Sequence, residues 1–350
     1  MTIDIDILNV GDGDAILLTL CKNDKNLVML IDGGHPGDAE MVKTKLDEVL
    51  AAVGKKGPDI ILCTHFDNDH IGSLYELVEY YHKNIGCLYI HDASVLKNIT
   101  GVLKKSTVEN ASVLPSENDD VFGNYYFDPE TDESVKFVVE SLQQEADLLK
   151  LAGHLKVPTK RPVAGAIQLA DWPEIRIIAP TQVYYDQLFP PNLKPEVALQ
   201  EEVNAYSAEL VLKPAPVAGD PCRLLDRLTR SPVSRINLAS AILEVNLAGD
   251  KFLFTADAGI PSFKNIPNYE QELRHIFWLK VPHHGSRNNF TGELIDLIRP
   301  KIAAISGKIR IEPGIIACLV KHGCTVERTD DPGADLHYHY EYPEKSVVAK

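Results

Sequence analysis

The sequence predicts an α/β sandwich of four layers, two mixed β-sheets packed face to face with helices outside. Three observations lead there. Each half of the chain opens with strand-like alternation and then passes to strands interleaved with segments of helical periodicity. Apolar residues make up 45% of the 350 positions, which supplies a core of ordinary size. No apolar run approaches the roughly 18 residues that a membrane-spanning helix needs. The expected organisation is one domain over 1–350, with a variable insertion at about 95–235.

In the first half, Ile3, Ile5, Ile7 and Leu8 mark a strand, residues 15–20 a second, and residues 27–31 a third that ends at Asp32-Gly33-Gly34. Asp38 is placed to cap a helix whose Val42, Leu46, Val49, Leu50 and Val53 share a face, with Gly54 as its stop. The apolar run 60–64 is a fourth strand, and Leu74, Leu77, Val78 and Tyr81 keep helical spacing beyond it. The middle is less regular. Residues 116–133 are acidic and turn-rich, a helix is expected over 134–151, residues 175–179 read as a core strand and 186–191 as a surface turn. The proline-rich stretches 214–221 and 231–235 read as excursions from the core. Regularity returns with a strand over 241–247, a Gly249-Asp250 turn and a partner strand over 252–255. Further strands are expected at 276–281 and 302–305, and helices after Thr291 and from Pro313 to His322. Closing strands at 324–329 and 335–342 flank Asp331-Pro332-Gly333.

Fifty acidic and 35 basic side chains leave a formal charge of −15, which disfavours broad binding to nucleic acid or anionic membrane. The N-terminus lacks the basic flank and continuous apolar stretch of a signal peptide. Six scattered cysteines without a CxxC pair suit buried, reduced thiols in a cytoplasm. The expected protein is soluble and cytoplasmic, with no membrane partner.

The chemistry concentrates in Thr64-His65-Phe66-Asp67-Asn68-Asp69-His70. Two imidazoles and two carboxylates fall within six residues, at the turn from a strand into a helix. Such a set repels itself or stays hydrated unless a cation unites it, so a metal centre is expected.

This block resembles the HxHxDH signature of the metallo-β-lactamase superfamily, in an HxDxDH form. More narrowly, five segments in order resemble the soluble hydrolase domain of ComEC DNA-internalisation proteins and its stand-alone relatives. They are residues 10–15, residues 30–34, the HFDNDHIG block, residues 254–258 and residues 279–286. The resemblance implies a metallo-β-lactamase-like αββα sandwich. It implies that His65 and Asp67 serve one metal site and Asp69 and His70 a second, with Asp257 bridging and His283 or His284 as the late ligand. His283 is favoured, since neighbours at a strand end face opposite ways. Asp32 resembles an aspartate that orients a ligand from behind, Asp69 would both ligate and orient the nucleophile, and Lys280 and Arg287 would receive a phosphate. Asp14 is expected to brace the Gly11–Gly13 turn.

The sequence departs from the superfamily where Asp67 replaces a histidine, where Asn237-Leu238-Ala239-Ser240 stands in place of another, and where Glu312-Pro313 stands for a His-Pro step. Glu312 is expected to be a helix N-terminal charge. An oxygen-rich donor set points to one or two divalent ions, Zn²⁺ or Mn²⁺ first and Fe²⁺ or Mg²⁺ next. His337 and His339 read as surface or packing residues. The expected function is metal-dependent hydrolysis of a phosphodiester or other small hydrolysable substrate, with nucleic acid as a candidate. An ester, lactone or amide hydrolase would use the same site, and a catalytically weak metal-binding scaffold for a protein partner is the reading from another class.

Overall fold

The computed structural model describes residues 1–92, 133–210, 213, 219–331 and 333–343. The chain opens with strands β1 (Thr2–Ile7), β2 (Ile16–Lys22) and β3 (Lys25–Ile31) and helix α1 (Ala39–Ala52). Strand β4 (Ile60–Leu62), helices α2 (Asn68–Ile71) and α3 (Leu74–Tyr81), strand β5 (Cys87–Tyr89), helix α4 (Glu133–Leu155) and strand β6 (Thr159–Lys160) follow. Next come β7 (Ile175–Ala179) and helices α5 (Gln182–Leu188), α6 (Pro195–Leu210), α7 (Pro221–Arg227) and α8 (Arg235–Leu238). The remainder is β8 (Ile242–Leu247), β9 (Asp250–Phe254), α9 (Ile260–Lys264), α10 (Tyr269–Glu272), β10 (Ile276–Lys280), α11 (Gly292–Ile298), β11 (Ile302–Ile305), α12 (Pro313–Lys321), β12 (Thr325–Arg328) and β13 (Leu336–Glu341).

The strands form two mixed sheets, ordered β13-β1-β2-β3-β4-β5-β6 and β12-β11-β10-β9-β8-β7. In the first, β3, β4, β5 and β6 run parallel and the other pairings are antiparallel. In the second, β9, β10, β11 and β12 run parallel and β7 and β8 are antiparallel. Side-chain alternation assigns each strand residue to a layer. Ile5, Leu18 and Met29 point between the sheets, where they meet Val245, Phe252, Phe254 and Trp278. Their neighbours Leu17, Val28 and Leu30 point outward onto Val42, Leu46 and Leu50 of α1 and Leu74 and Leu77 of α3. Leu253, Leu279 and Ala303 of the second sheet pack outward on Leu294, Ile295 and Ile315 of α11 and α12. Three apolar layers separate four layers of secondary structure, and the predicted αββα sandwich is the observed fold. Among the described residues, no helix is long and apolar enough to cross a membrane.

Several expectations change. The helix expected over 134–151 runs from Glu133 to Leu155 and passes through Gly153, where a side chain would meet open space. The turn expected at 186–191 begins as helix α5, since Thr181 Oγ1 accepts from Tyr184 N and Tyr184, Tyr185 and Leu188 are buried. Strands β6 and β7, from the segment expected as an insertion, lie one in each sheet. Residues 116–132 and the proline-rich 214–218 lie outside the described residues. Cys222 and Cys318 are joined in a disulfide rather than held as reduced thiols, because α7 and α12 pack side by side with these Cα atoms 4.9 Å apart. Cys21, Cys63, Cys87 and Cys324 are free thiols, of which Cys63 and Cys324 are buried and Cys21 and Cys87 half-buried.

Candidate metal centre

Every residue of the centre lies just beyond the C-terminal end of a strand: Asp32 after β3, His65 to His70 after β4, Asp257 after β9, His283 and His284 after β10, and Ser306 and Arg310 after β11. The two sheets therefore deliver their loops to a single edge. Backbone bonds lock these loops together. Asp32 N donates to Leu62 O at 2.8 Å, Gly33 N to His70 O at 2.7 Å, Ala241 N to Thr64 O at 2.9 Å and His283 N to Ala256 O at 3.0 Å. Gly13 is required at its position, because a Cβ there would lie 2.5 Å from Asp69 O.

Asp257 is the hub. Its Oδ2 lies 3.8 Å from His65 Nε2 and 3.3 Å from His283 Nε2, and its Oδ1 lies 3.4 Å from His70 Nε2 and 3.7 Å from His284 Nε2. Asp67 Oδ2 is 3.8 Å from His65 Nε2, and Asp69 Oδ2 is 3.8 Å from His284 Nε2. The donors thus fall into two sets that share Asp257. One set is His65, Asp67 and His283, and the other is Asp69, His70 and His284. The expectation that only one of His283 and His284 faces inward is corrected. Both do, because the backbone there is not a strand: φ is 47° at His283 and 52° at His284, with Gly285 at 86°. Consecutive left-handed residues replace strand alternation with a tight turn that projects both rings the same way.

The second nitrogen of each ring is held from behind, which fixes the tautomer. His70 Nδ1 donates to Asp32 Oδ2 at 2.9 Å. His65 Nδ1 donates to Thr64 Oγ1 at 3.0 Å, and that hydroxyl donates in turn to Asp32 Oδ2 at 2.6 Å. His283 Nδ1 donates to Asn289 Oδ1 at 2.8 Å, and His284 Nδ1 to Ser306 O at 3.0 Å. All four Nε2 atoms face Asp257, and His283 Nε2 also accepts from Arg310 Nη1 at 2.9 Å. Asp32 contacts His70 Nδ1 and Thr64, on the side of the His70 ring opposite Asp257.

The donors fit a divalent cation. His65 Nε2, His70 Nε2, His284 Nε2, Asp69 Oδ1 and both Asp257 oxygens are buried with no hydrogen-bond partner among the described residues. Buried polar atoms are rarely left in that state unless an ion or water takes them up. Electrostatics agree. Burial raises the Asp67 carboxyl well above its usual range, and the neighbouring charges of Asp69 and Glu202 push it the same way. Burial alone would lower His70, yet Asp257 and Asp32 outweigh it and hold the ring well above 6.5. The carboxylates that would retain a proton at His70 Nε2 would also retain a metal ion there.

Lys280 is where the structure corrects the sequence most directly. It does not face a substrate. It is fully buried and lies 2.8 Å from Asp14 Oδ2, behind the centre. Asp14 also accepts from Ser306 Oγ, and Ser306 holds His284. Lys280 is therefore a positioning residue, and Asp14 joins this network instead of bracing its own turn. Arg287 is turned to Lys213 O and, at 3.5 Å, to Glu312. Glu312 caps α12, accepting from Gly314 N, as expected. His337 and His339 pair with Asp6 and Asp4 on the outer strand, away from the centre.

Arg310 and Glu209 were not foreseen. Arg310 Nη1 lies 2.9 Å from His283 Nε2 and 3.4 Å from Asp69 Oδ2, and Glu209 Oε2 lies 3.4 Å from His283 Nε2. Both line a cleft together with Asp67, Glu202, Tyr206 and Asn288. A single arginine after β11 carries no pattern in the sequence, and Glu209 sits on α6, whose apolar stripe is too weak to announce a helix.

No curated protein matches the chain in sequence. Among solved structures, the chain is similar to the metallo-beta-lactamase fold protein YhfI from Bacillus subtilis, with 11% identity and a TM-score of 0.42 over 97% of this chain and 99% of that one. The part of the chain that matches a family model ends near β6, before Asp257 and the His283-His284 turn. Residues 8–163 match the model described as the metallo-beta-lactamase superfamily, and the sandwich of two mixed sheets with outer helices is the metallo-β-lactamase fold.

Proposed function

We propose that the protein is a metal-dependent hydrolase acting on phosphodiester bonds of a small or end-presented substrate. The observation that carries the reading is that the Nε2 atoms of His65, His70, His283 and His284 all lie within 3.8 Å of the Asp257 carboxylate, with every Nδ1 occupied from behind. His65, Asp67 and His283 would hold one ion and Asp69, His70 and His284 another, with Asp257 shared. A divalent ion in this place supplies water acidification and neutralises charge on an attacked oxygen.

The chain's own residues do the rest. Asp32, Thr64, Asn289 and Ser306 fix the rings, and Asp14 with Lys280 fixes Ser306. Arg310 is the one lysine or arginine among the described residues lining the cleft, and it supports an anionic substrate. The likeness of the motifs to the ComEC branch supports the same chemistry. The formal charge of −15 favours a nucleotide or an oligonucleotide end over long duplex.

The test is a panel of nitrophenyl phosphodiesters, nucleotides, short oligonucleotides and carboxylic esters, each assayed with Mn²⁺, Mg²⁺ and Zn²⁺. Phosphodiester turnover that needs a metal and disappears in Asp257→Asn supports the reading. Turnover confined to carboxylic esters, or no metal-dependent turnover of any substrate, contradicts it.

A further inference from the structure

A second cluster of metal-type donors lies on the outside of the second sheet, remote in sequence from the HFDNDH block. Cys222 of α7 and Cys318 of α12 form the disulfide there, and His322, one helical turn after Cys318, presents Nε2 3.5 Å from Cys222 Sγ. The same Nε2 meets Asp296 Oδ1 of α11 at 2.6 Å. Candidate ligand atoms of Cys222, Cys318 and His322 all lie within 4.8 Å of one another. We propose that this cluster is a redox-gated metal site: once the disulfide is reduced, Cys222, Cys318, His322 and Asp296 take up a thiophilic divalent ion such as Zn²⁺.

The frame around the cluster does not depend on the sulfur–sulfur bond. Asp220, which accepts from Cys222 N at 3.1 Å, also pairs with Lys321 at 2.9 Å and so ties α7 to α12. Asp226 accepts from Gly292 N at 2.7 Å and ties α7 to α11. A Cβ on Gly292 would collide with Cys222 O, so these two helices touch backbone to backbone. Cys222, Cys318, Leu225, Leu294 and Ile315 share one apolar cluster that holds the three helices on the sheet. Reduction therefore frees two thiols without releasing the elements that carry them.

The geometry suits tetrahedral zinc. With Zn–S near 2.3 Å and Zn–N near 2.0 Å, a sulfur and a nitrogen on one ion stand about 3.6 Å apart, and Cys222 Sγ and His322 Nε2 already stand at 3.5 Å. The two sulfurs must separate to about 3.8 Å and the His322–Asp296 contact must widen by about 0.7 Å, movements that side-chain rotation can supply. Asp296 is half exposed and His322 partly so, which leaves a path for the ion. In the reduction, one dithiol or two monothiols break the sulfur–sulfur bond and are themselves joined as a disulfide. Two electrons and two protons pass to Cys222 and Cys318, and the ion then displaces both protons.

Cobalt(II) reports this site alone, because the other centre offers only nitrogen and oxygen donors. The reduced full-length protein, kept in a phosphine reductant and with excess Co²⁺, should develop a thiolate-to-cobalt charge-transfer band in the near ultraviolet whose intensity corresponds to one thiolate-bound ion and which is bleached by Zn²⁺. The oxidised protein and Cys222→Ala/Cys318→Ala should lack the band. His322→Ala, which keeps both thiols, should weaken cobalt affinity by about tenfold or more. A reduced parent without the band would overturn the proposal, as would a band that survives in the double cysteine variant or one that His322→Ala leaves at parental affinity.

Discussion

Replacing Lys280 by methionine removes one half of a sealed ion pair and leaves the Asp14 charge unanswered. Lys280 is fully buried, Asp14 is 1% exposed, and their atoms lie 2.8 Å apart. Breaking such a pair on one side costs about 3–5 kcal/mol. The pH dependence adds a second, signed expectation. Burial would raise the Asp14 carboxyl, but Lys280 overrides it and, with His70 and His284, brings it from 3.8 down to about 2. A carboxyl depressed by folding contributes stability above its unfolded pKa, about 2 kcal/mol for this shift, and loses that contribution as pH falls from 3.8 toward 2. Without Lys280, burial becomes the dominant influence and the folded pKa rises above 3.8. The sign then reverses: the variant is most stable when Asp14 is protonated and loses stability as pH rises. Urea unfolding of Lys280→Met should therefore show a loss of about 3–5 kcal/mol at pH 7 and partial recovery toward pH 5. Lys280→Met/Asp14→Asn should be closer to the parent than either single variant. If Lys280→Met unfolds at the parental midpoint at both pH values, and only KM for an anionic substrate rises, Lys280 faces the substrate and the buried-pair reasoning is wrong.

Other outcomes follow from particular contacts. Asp32→Asn removes the acceptor that orients His70 and Thr64 and should weaken metal affinity about 10–100-fold in a chelator competition, with the fold retained by circular dichroism. Arg310→Ala should lower kcat/KM for phosphodiesters about 10–100-fold, the worth of one charge-assisted hydrogen bond, while metal content stays at the parental level. His91 is buried and stacked on Tyr185 at a centroid distance of 4.6 Å, and burial lowers its pKa from 6.5 to about 3. Its neutral form contributes stability above pH 6.5 that is lost as pH falls toward 3, about 2 kcal/mol by pH 5. Thermal unfolding of His91→Phe should therefore fall less steeply between pH 7 and pH 5 than that of the parent.

The parts of this protein legible in its sequence are those where local pattern and tertiary structure say the same thing. Ile3, Ile5 and Ile7 alternate because β1 buries one face between the sheets, and Val42, Leu46 and Leu50 repeat at helical spacing because α1 lies on a sheet. His65, Asp67, Asp69 and His70 announce themselves because one tight turn carries four of the donors. Other features depend on contacts with no local trace. Helix α6 is hard to read because Glu202 falls on the face that Ala198, Leu199, Val203 and Ala205 bury. That His284 faces inward beside His283 was not legible, because their positive φ values break the alternation on which the expectation rested. The Cys222–Cys318 pair spans 96 residues and is set by the packing of α7 on α12. Lys280 looked catalytic from its nearness to His283 in sequence, and only the three-dimensional placement of Asp14 shows why it is turned inward.

The most direct measurement is the metal-to-protein ratio, by elemental mass spectrometry, of oxidised protein loaded with Mn²⁺ or Zn²⁺ and freed of excess ion by gel filtration. Parent protein should retain at least one equivalent, and Asp257→Asn should retain a small fraction of that. A parent that emerges without metal, or an Asp257→Asn variant that retains as much as the parent, would contradict a centre built around Asp257.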